Sequence, residues 1–277
     1  MNAQQTSHPV AVRTLSMLLQ EAGSVDGALA KAIGDMKRQP TDVEIRWSLF
    51  EWLAVTEQWE RALGQLDILC AMKPSLEPAI HMWRSLLDAE CARQRVFNGQ
   101  ARPSFPCREA LSWQGRLVDA IGHNAAGHVA AADHVRTQAM GMATSKPGCC
   151  ERGAFTWMSD TDSRLGPTLE VFQEGRYLWV PFSAIDRIRI APVKRLMDRV
   201  WLETNISLSV GTTLTGHVPA RYPGSSSHSD AVVLGNQTHW NDTGESCVAG
   251  AGQRTWMTDL GDLSIFDIRE IVFRHAD

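Results

Sequence analysis

A helical pattern that occurs twice near the N-terminus is the feature that most restricts the fold of this chain. Apolar residues at helical spacing follow Ser24, a residue type that favours a helix N-terminus, and the pattern stops at Pro40. The same layout occurs again about 34 residues later and ends at Pro74. Ala62-Leu63 in the second pattern corresponds to Ala28-Leu29 in the first. A small residue lets paired helix backbones approach closely, and a helix pair that repeats every ~34 residues is the tetratricopeptide signature.

The helices before these two keep the same offset, since Leu15, Leu18 and Leu19 correspond to Leu49, Trp52 and Leu53. Two repeats are too few for a free-standing solenoid, so further helices are expected to complete the stack. Apolar spacing predicts them from Pro78 to about Asn98, from Glu109 to Gly122, and over residues 124–140. The helical region fades at residues 144–153, which have the composition of a linker.

Beyond residue 152 the apolar period changes to two, which is typical of strands. Residues 169–182 alternate on both sides of Glu174-Gly175, a dipeptide suited to a tight hairpin turn. Short alternating runs follow at intervals up to residue 273. The sequence therefore predicts an α+β chain with an N-terminal tetratricopeptide-like domain, residues 1–148, and a mainly antiparallel β domain, residues 152–277, in the form of a small barrel or sandwich.

Several classes of function lack their sequence signals. There is no phosphate-binding loop, and GAGQRT at Gly250 has two of the three glycines of a dinucleotide fingerprint. A net charge of −4 argues against a nucleic-acid partner. No apolar run is long enough to insert in a membrane, and scattered cysteines favour the cytoplasm.

Metal and cofactor sites are not predicted either. No cysteine pair has zinc-finger spacing, and the gaps of five and six residues between His123, His128 and His134 place them on different helix faces, which favours surface histidines. No catalytic, cofactor-binding or metal-ligating residue is assigned.

The acids Asp160 and Asp162 keep an enzymatic alternative open. An Asp-x-Asp pair can hold a divalent cation, and with Ser163 and a histidine from a later loop it suggests a hydrolase or metal-dependent enzyme. Arg164 is the wrong residue for a calcium loop, so side chains that bond local backbone amides in a turn are favoured. The polar loop Arg221–Asp230 is predicted to be a mobile surface loop rather than a lid.

Tryptophans in the helical stripes are predicted to be core, as is Trp179, while Tyr177 is left open between core and surface. The helical set is Trp47, Trp52, Trp59, Trp83 and Trp113.

Two sequence blocks resemble a known family. DSRLGPTLEVFQEGRYLWVPF, residues 162–182, and RYPGS, residues 221–225, occur in the order found in the ImpE/TagJ family of type VI secretion accessory proteins, and DGALAKAIGDMKRQP is similar to its helical domain. The serine- and histidine-rich continuation at 225–240 departs from that family. The motif positions, structural or partner-binding, are Asp162, Arg164, Gly166, Pro167, Gly175, Tyr177, Trp179, Arg221, Tyr222, Pro223 and Gly224.

The resemblance implies a non-enzymatic, cytoplasmic adaptor. Members of the family are expected to bind the small subunit of the contractile sheath and to modulate its disassembly by the AAA+ ATPase of the secretion system. A helical segment of that subunit is the expected ligand, since helical repeats suit helices and peptides. A purely structural scaffold or dimerisation module is the third hypothesis.

Overall fold

Six helices fill the first half of the computed structural model, which describes residues 23–106 and 110–274. They are α1 (Val25–Arg38), α2 (Val43–Val55), α3 (Trp59–Met72), α4 (Glu77–Phe97), α5 (Ser112–Ala125) and α6 (Val129–Met142). The predicted helix around Leu15–Leu19 and the predicted helix start at Glu109 lie outside the described residues.

The offset that relates Ala28 to Ala62 also relates whole helices in the structure. Both ends of α3 follow those of α1 at this offset, and the start of α4 follows the start of α2 in the same way. Ser24 caps α1 as predicted, because its side chain accepts a hydrogen bond from the Gly27 amide at 2.9 Å. Helix bounds in this half therefore follow from sequence signals, with α5 and α6 each displaced by a few residues.

Helix α2 is buried over most of its circumference: eight of its thirteen residues are buried, and Glu44 near its start is exposed. A helix of this kind needs neighbours on most sides. Helices α1 and α3 flank it, and a 3₁₀ turn at Leu196–Arg199 from the β region packs on it as well. The surface that α2 lines is thus covered by the chain's own second half.

Fourteen strands follow the helices, together with a four-residue helix α7 (Asp230–Val233). They are β1 (Gly148–Cys150), β2 (Gly153–Phe155), β3 (Met158–Asp160), β4 (Thr168–Gln173), β5 (Arg176–Pro181), β6 (Ile185–Ile190), β7 (Trp201–Leu208), β8 (Thr213–Pro219), β9 (Arg221–Tyr222), β10 (Thr238–Asp242), β11 (Val248–Gln253), β12 (Thr255–Thr258), β13 (Gly261–Ser264) and β14 (Glu270–Phe273). Strand β1 corrects the predicted linker: Gly148 and Cys149 pair with β14, a tertiary contact that local composition does not encode.

The strands form three sheets, in which every pair is antiparallel. The first has the order β2-β1-β14-β6-β7-β8-β4-β5, the second β10-β11-β9, and the third β13-β12-β3. The sheets are open, so the barrel alternative was wrong. Closure would require the β5 edge, but the α4–α5 connection occupies it: the Ser104 amide donates to the Tyr177 carbonyl and the Trp179 amide donates to the Ser104 carbonyl, both at 2.9 Å.

The predicted hairpin is confirmed. Gln173 pairs with Arg176, which leaves a two-residue turn. Glu174 has φ 50° and Gly175 has φ 76°, the left-handed values of a type I′ turn.

Two apolar cores result from this packing. One lies between the first and third sheets, whereas the other runs from α1 through α6 and takes in Trp179, Trp201 and Tyr222 from the strands. All five tryptophans of the helical stripes are buried in that mixed core, as predicted. The core draws on both predicted domains, and their division at about residue 150 stays a prediction.

No helix among the described residues is long and apolar enough to cross a membrane.

Candidate functional site

Asp160 and Asp162, just before and at the start of the DSRLGP block, form a turn. Asp160 Oδ1 accepts a hydrogen bond from the Asp162 amide at 2.9 Å, and Asp162 Oδ1 accepts one from the Arg164 amide at 3.0 Å. The prediction that they bond local backbone groups is confirmed. Their burial was not foreseen, since both carboxylates are inaccessible to solvent.

The buried Arg254 and the half-buried Arg164 form ion pairs with these acids. Arg254 Nη1 lies 2.5 Å from Asp160 Oδ2, and Arg164 holds Asp162 through Nε at 2.9 Å and through Nη2 at 2.5 Å. The other guanidinium nitrogen of Arg254 donates to Glu170, so two carboxylates share one cation. A buried charge is tolerated only when it is paired and hydrogen-bonded in this way.

Glu170 is the centre of the cluster. Its carboxylate accepts from Arg93 Nε at 2.8 Å and from Arg93 Nη2 at 2.9 Å, and the Tyr177 hydroxyl donates to it. The Tyr177 oxygen in turn accepts from the Trp179 indole at 2.6 Å. Strand β4 therefore presents a carboxylate to α4, and two motif aromatics of β5 line the same junction.

The electrostatics of the cluster favour an ionised Glu170. Burial alone would raise the pKa of this carboxyl, but the charges of Arg93 and Arg254 and their hydrogen bonds lower the pKa to about 2. Burial raises the pKa of Asp160 to about 7 against the opposing charge of Arg254. The pKa of the Tyr177 hydroxyl is raised by burial and by Glu170, so it stays a neutral donor.

The RYPGS block meets the same cluster. The Tyr222 hydroxyl donates to Asp160 Oδ1 at 2.8 Å, and Arg93 Nη2 donates to the Arg221 carbonyl at 3.0 Å. Arg221 itself reaches the C-terminal end of α2, where Nη1 donates to the Val55 carbonyl at 2.8 Å and to the Val233 carbonyl. Two motifs separated in sequence are thus brought together at the helix–sheet junction.

This placement corrects the prediction for the loop Arg221–Asp230. Its first half is not a surface loop, because Arg221, Tyr222 and Ser225 are buried. Strand β9 pairs with β11, and Glu57 holds the following turn by accepting hydrogen bonds from the Ser225 amide at 3.2 Å and the Ser226 hydroxyl at 2.9 Å.

The remaining motif positions shape the backbone around the cluster. Gly166 has φ 56°, a left-handed conformation that favours glycine, and it lies against Met140 of α6, whose Sδ would be 2.8 Å from an added Cβ. Gly224, with φ 80°, begins the 3₁₀ turn at Ser225–Ser227. Pro167 is buried before β4 and accepts a hydrogen bond from the Phe182 amide at 3.0 Å, and Pro223 is half-buried.

Three residues at the centre of the cluster were not predicted: Arg93, Glu170 and Arg254. A signal was present for the first, since Glu90 and Arg93 continue the apolar stripe of α4 at helical spacing after Trp83. Charged residues on the buried face of a helix indicate an internal ion pair. No comparable local signal marks Glu170 or Arg254.

A separate, half-buried acid lies where α2 meets the β region. Trp47 Nε1 donates to Glu51 Oε1 at 3.3 Å. Burial raises the pKa of Glu51 to about 7, partly offset by the Trp47 hydrogen bond and the charge of Arg195, while Asp198 adds to the rise. Burial, with the nearby charge of Arg195, lowers the pKa of His217 to about 4, so this ring is neutral at physiological pH.

Glu51→Gln is expected to stabilise the protein at pH 8 by about 2 kcal/mol and to have little effect at pH 5, after allowance for the partial exposure of the side chain. Because the pKa of Glu51 is raised on folding, the wild-type protein is most stable below the unfolded-state pKa of 4.5 and loses stability as the pH rises through about 7. Glutamine carries no charge and therefore avoids this loss. Urea titrations at both pH values measure the difference. Glu44→Gln on the exposed side of α2 is the matched control, and an equal effect at both pH values would contradict the assignment.

Histidine rings lie close together only in pairs within the described ranges, and one pair is His228 and His239, with ring centroids 5.0 Å apart. No group of three or more His, Cys, Asp or Glu side chains there is placed to hold a metal ion. The rings of His123 and His128 lie 6.2 Å apart, whereas His134 contacts Gln138. The enzymatic alternative required free carboxylates at Asp160 and Asp162, and both are engaged in the turn and in ion pairs.

Helical repeats packed against open antiparallel sheets, and joined to them by a buried ionic cluster, define a class of mixed α+β protein. The chain belongs to the ImpE/TagJ family. The family model described as ImpE protein matches residues 152–272.

Two relatives extend this comparison over the whole chain. The type VI secretion system accessory component TagJ of Pseudomonas aeruginosa is 35% identical over 268 residues, which cover 95% of this chain and 94% of TagJ. The crystal structure of protein VPA1032 from Vibrio parahaemolyticus superposes with a TM-score of 0.87 at 25% identity, covering 95% of this chain and 98% of that one. The chain is therefore related to an accessory component of type VI secretion.

Proposed function

We propose that this protein is a non-enzymatic, cytoplasmic adaptor of a type VI secretion system. In this role it binds the small subunit of the contractile sheath and modulates sheath disassembly by the AAA+ ATPase. The observation that carries the proposal is the similarity to TagJ along 95% of the chain. The motif residues then serve as an internal frame that fixes the helices against the sheets.

An apolar surface suited to a helical ligand lies at one end of the α5–α6 hairpin. It consists of Leu111, Met140 and Met142, which are 45%, 40% and 46% exposed. Arg116 Nη1 donates to Gln138 Oε1 at 2.7 Å across the hairpin, and this antiparallel register brings the start of α5 to the end of α6. Exposed methionines adapt to varied apolar ligands.

The family motif supports this surface directly, because Gly166 packs under Met140. By contrast, the α2 surface is covered by the β region, so a ligand helix has to bind elsewhere. We therefore place the sheath-subunit helix on the apolar end of the α5–α6 hairpin.

Met142→Glu is expected to weaken binding of the purified small sheath subunit at least about tenfold, since a carboxylate would be buried in an apolar interface. Isothermal titration calorimetry with the full-length chain measures the change. Val210→Glu at the β7–β8 turn, where valine is 73% exposed, is the matched control and should bind like the wild type.

Failure of the wild-type protein to bind the sheath subunit would contradict the adaptor role. If both variants bind the sheath subunit equally well, only the placement of the binding site on the α5–α6 hairpin would be contradicted. For the second half of the proposal, ATPase-driven loss of light scattering from assembled sheaths should change in rate when the protein is added, and an unchanged rate would contradict it.

A further inference from the structure

Strand β10 presents an open hydrogen-bonding edge. Its pairing with β11 is regular from Thr238 opposite Gly252 to Asp242 opposite Val248. The Gln253 amide donates to the Gln237 carbonyl, and the Thr243 amide donates to the Cys247 carbonyl, so odd-numbered residues of this strand bond to β11. Because the pattern alternates, the amide and carbonyl groups of Thr238, Trp240 and Asp242 point away from β11.

Edges of the first sheet are blocked or short. The Ser104 segment bonds to the outer side of β5, and β2 has three residues and begins at Gly153 with φ 131°. Edges of the third sheet are also engaged, because the Asp160 amide of β3 donates to the Gly166 carbonyl and Arg152 donates to the Asp262 carbonyl of β13.

Strand β10 lacks the features that usually protect an edge. It has no lysine, proline or bulge, and His239, Asn241 and Asp242 are exposed. At the opposite edge of its sheet, β9 has two residues, and its Arg221 carbonyl accepts a hydrogen bond from Arg93. Within residues 23–106 and 110–274, β10 is thus the longest regular edge that nothing covers.

Side chains beside this edge indicate what would bind. Trp240 packs on Tyr222, with ring centroids 5.5 Å apart, and leaves part of the indole accessible next to the free amides. Asp242 and Glu245 are exposed near the end of the strand, and neither is in an ion pair with a described residue. An added strand would therefore place an apolar residue near Trp240 and a basic residue near Asp242.

We propose that β10 is a strand-addition site for an extended segment of another protein, with alternating side chains and a basic residue opposite Asp242. Main-chain hydrogen bonds to Thr238, Trp240 and Asp242 would supply affinity, and the charge would supply orientation. A second copy of this chain suits the edge less well, since the protein carries a net charge of −4. This site is independent of the proposed function.

The probe for this site is a fluorescently labelled peptide of alternating threonine and valine with lysine at both ends. Its binding to the full-length protein is measured by fluorescence anisotropy in about 50 mM salt. This peptide is expected to bind. The same peptide N-methylated at two adjacent central residues is not expected to bind, because the methyl groups block both edges of the peptide strand. Asp242→Lys should weaken the lysine peptide about threefold and strengthen a glutamate-ended peptide, whereas Asp262→Lys on β13 should change neither.

Three results would overturn the proposal. They are undetectable binding of the peptide, equal binding of the methylated peptide, and charge reversal without effect. Sedimentation velocity on the protein alone supplies a further test, since a dimer that Asp242→Lys dissociates would assign the edge to a second copy of the chain instead.

Discussion

Replacement of Arg254 by alanine is expected to destabilise the protein by about 3–5 kcal/mol, the range for breaking a buried ion pair by removing one partner. The guanidinium donates to Asp160, to Glu170 and, from Nε at 2.8 Å, to the Pro219 carbonyl. Its loss leaves carboxylates in a site that solvent does not reach. Urea unfolding followed by far-ultraviolet circular dichroism measures the change.

Arg189→Ala is the matched control for this prediction. Arg189 also pairs with a glutamate, Glu270 at 2.7 Å, but the two side chains are 62% and 41% exposed. Exposed ion pairs contribute about 0–1 kcal/mol, so the control should unfold almost as the wild type does. A loss below about 1 kcal/mol for Arg254→Ala would contradict the role of the cluster in holding helices and sheets together.

Trp201→Ala is expected to cost about 3–5 kcal/mol, the usual effect of truncating a large buried aromatic. Trp201, at the start of β7, packs against both Trp59 and Trp83, with ring centroids 5.9 and 6.0 Å away and interplanar angles of 35° and 41°. Its indole nitrogen also donates to Glu90 Oε1 at 2.9 Å. The substitution therefore removes both apolar packing and a buried hydrogen bond at the helix–sheet junction.

Trp201→Phe retains a buried aromatic ring but removes the indole donor and the atoms of the five-membered ring, so a smaller cost of about 1–2 kcal/mol is expected. The same unfolding curves test the predicted division into domains. If residues 1–148 and 152–277 unfold as independent units, tryptophan fluorescence and circular dichroism should report two transitions. One shared transition, lowered in both probes by Trp201→Ala, would contradict that division.

Local signals were sufficient for helices α1 to α6 and for half of the strands, namely β4 to β8, β12 and β14. These signals act within a few residues, so they can be interpreted without knowledge of the fold. They are the Ser24 cap, the prolines after α1 and α3, and the helical spacing of apolar residues. The Glu174-Gly175 hairpin is a similar case, because the left-handed turn is encoded by the two residues that form it.

Contacts between distant residues were not accessible to the same reasoning. Strand β1 exists because β14 pairs with it, and the sheets stay open because Ser104 occupies an edge at Leu178, far from it in sequence. The polar residues of the loop at Arg221 predict a surface position, whereas the Arg221 guanidinium is buried against carbonyl groups of α2 and the end of α7.

The helical period, the change to strand spacing and, through the two motif blocks, the family follow from the amino-acid sequence alone. The role of those motifs within the fold depends on contacts between distant elements. Asp162, Tyr177, Arg221 and Tyr222 meet around Arg93, Glu170 and Arg254, residues from separate elements that no local pattern connects. The physical reason is that a charge becomes tolerable in a core only beside its partner, and which charges become partners depends on how helices and sheets pack.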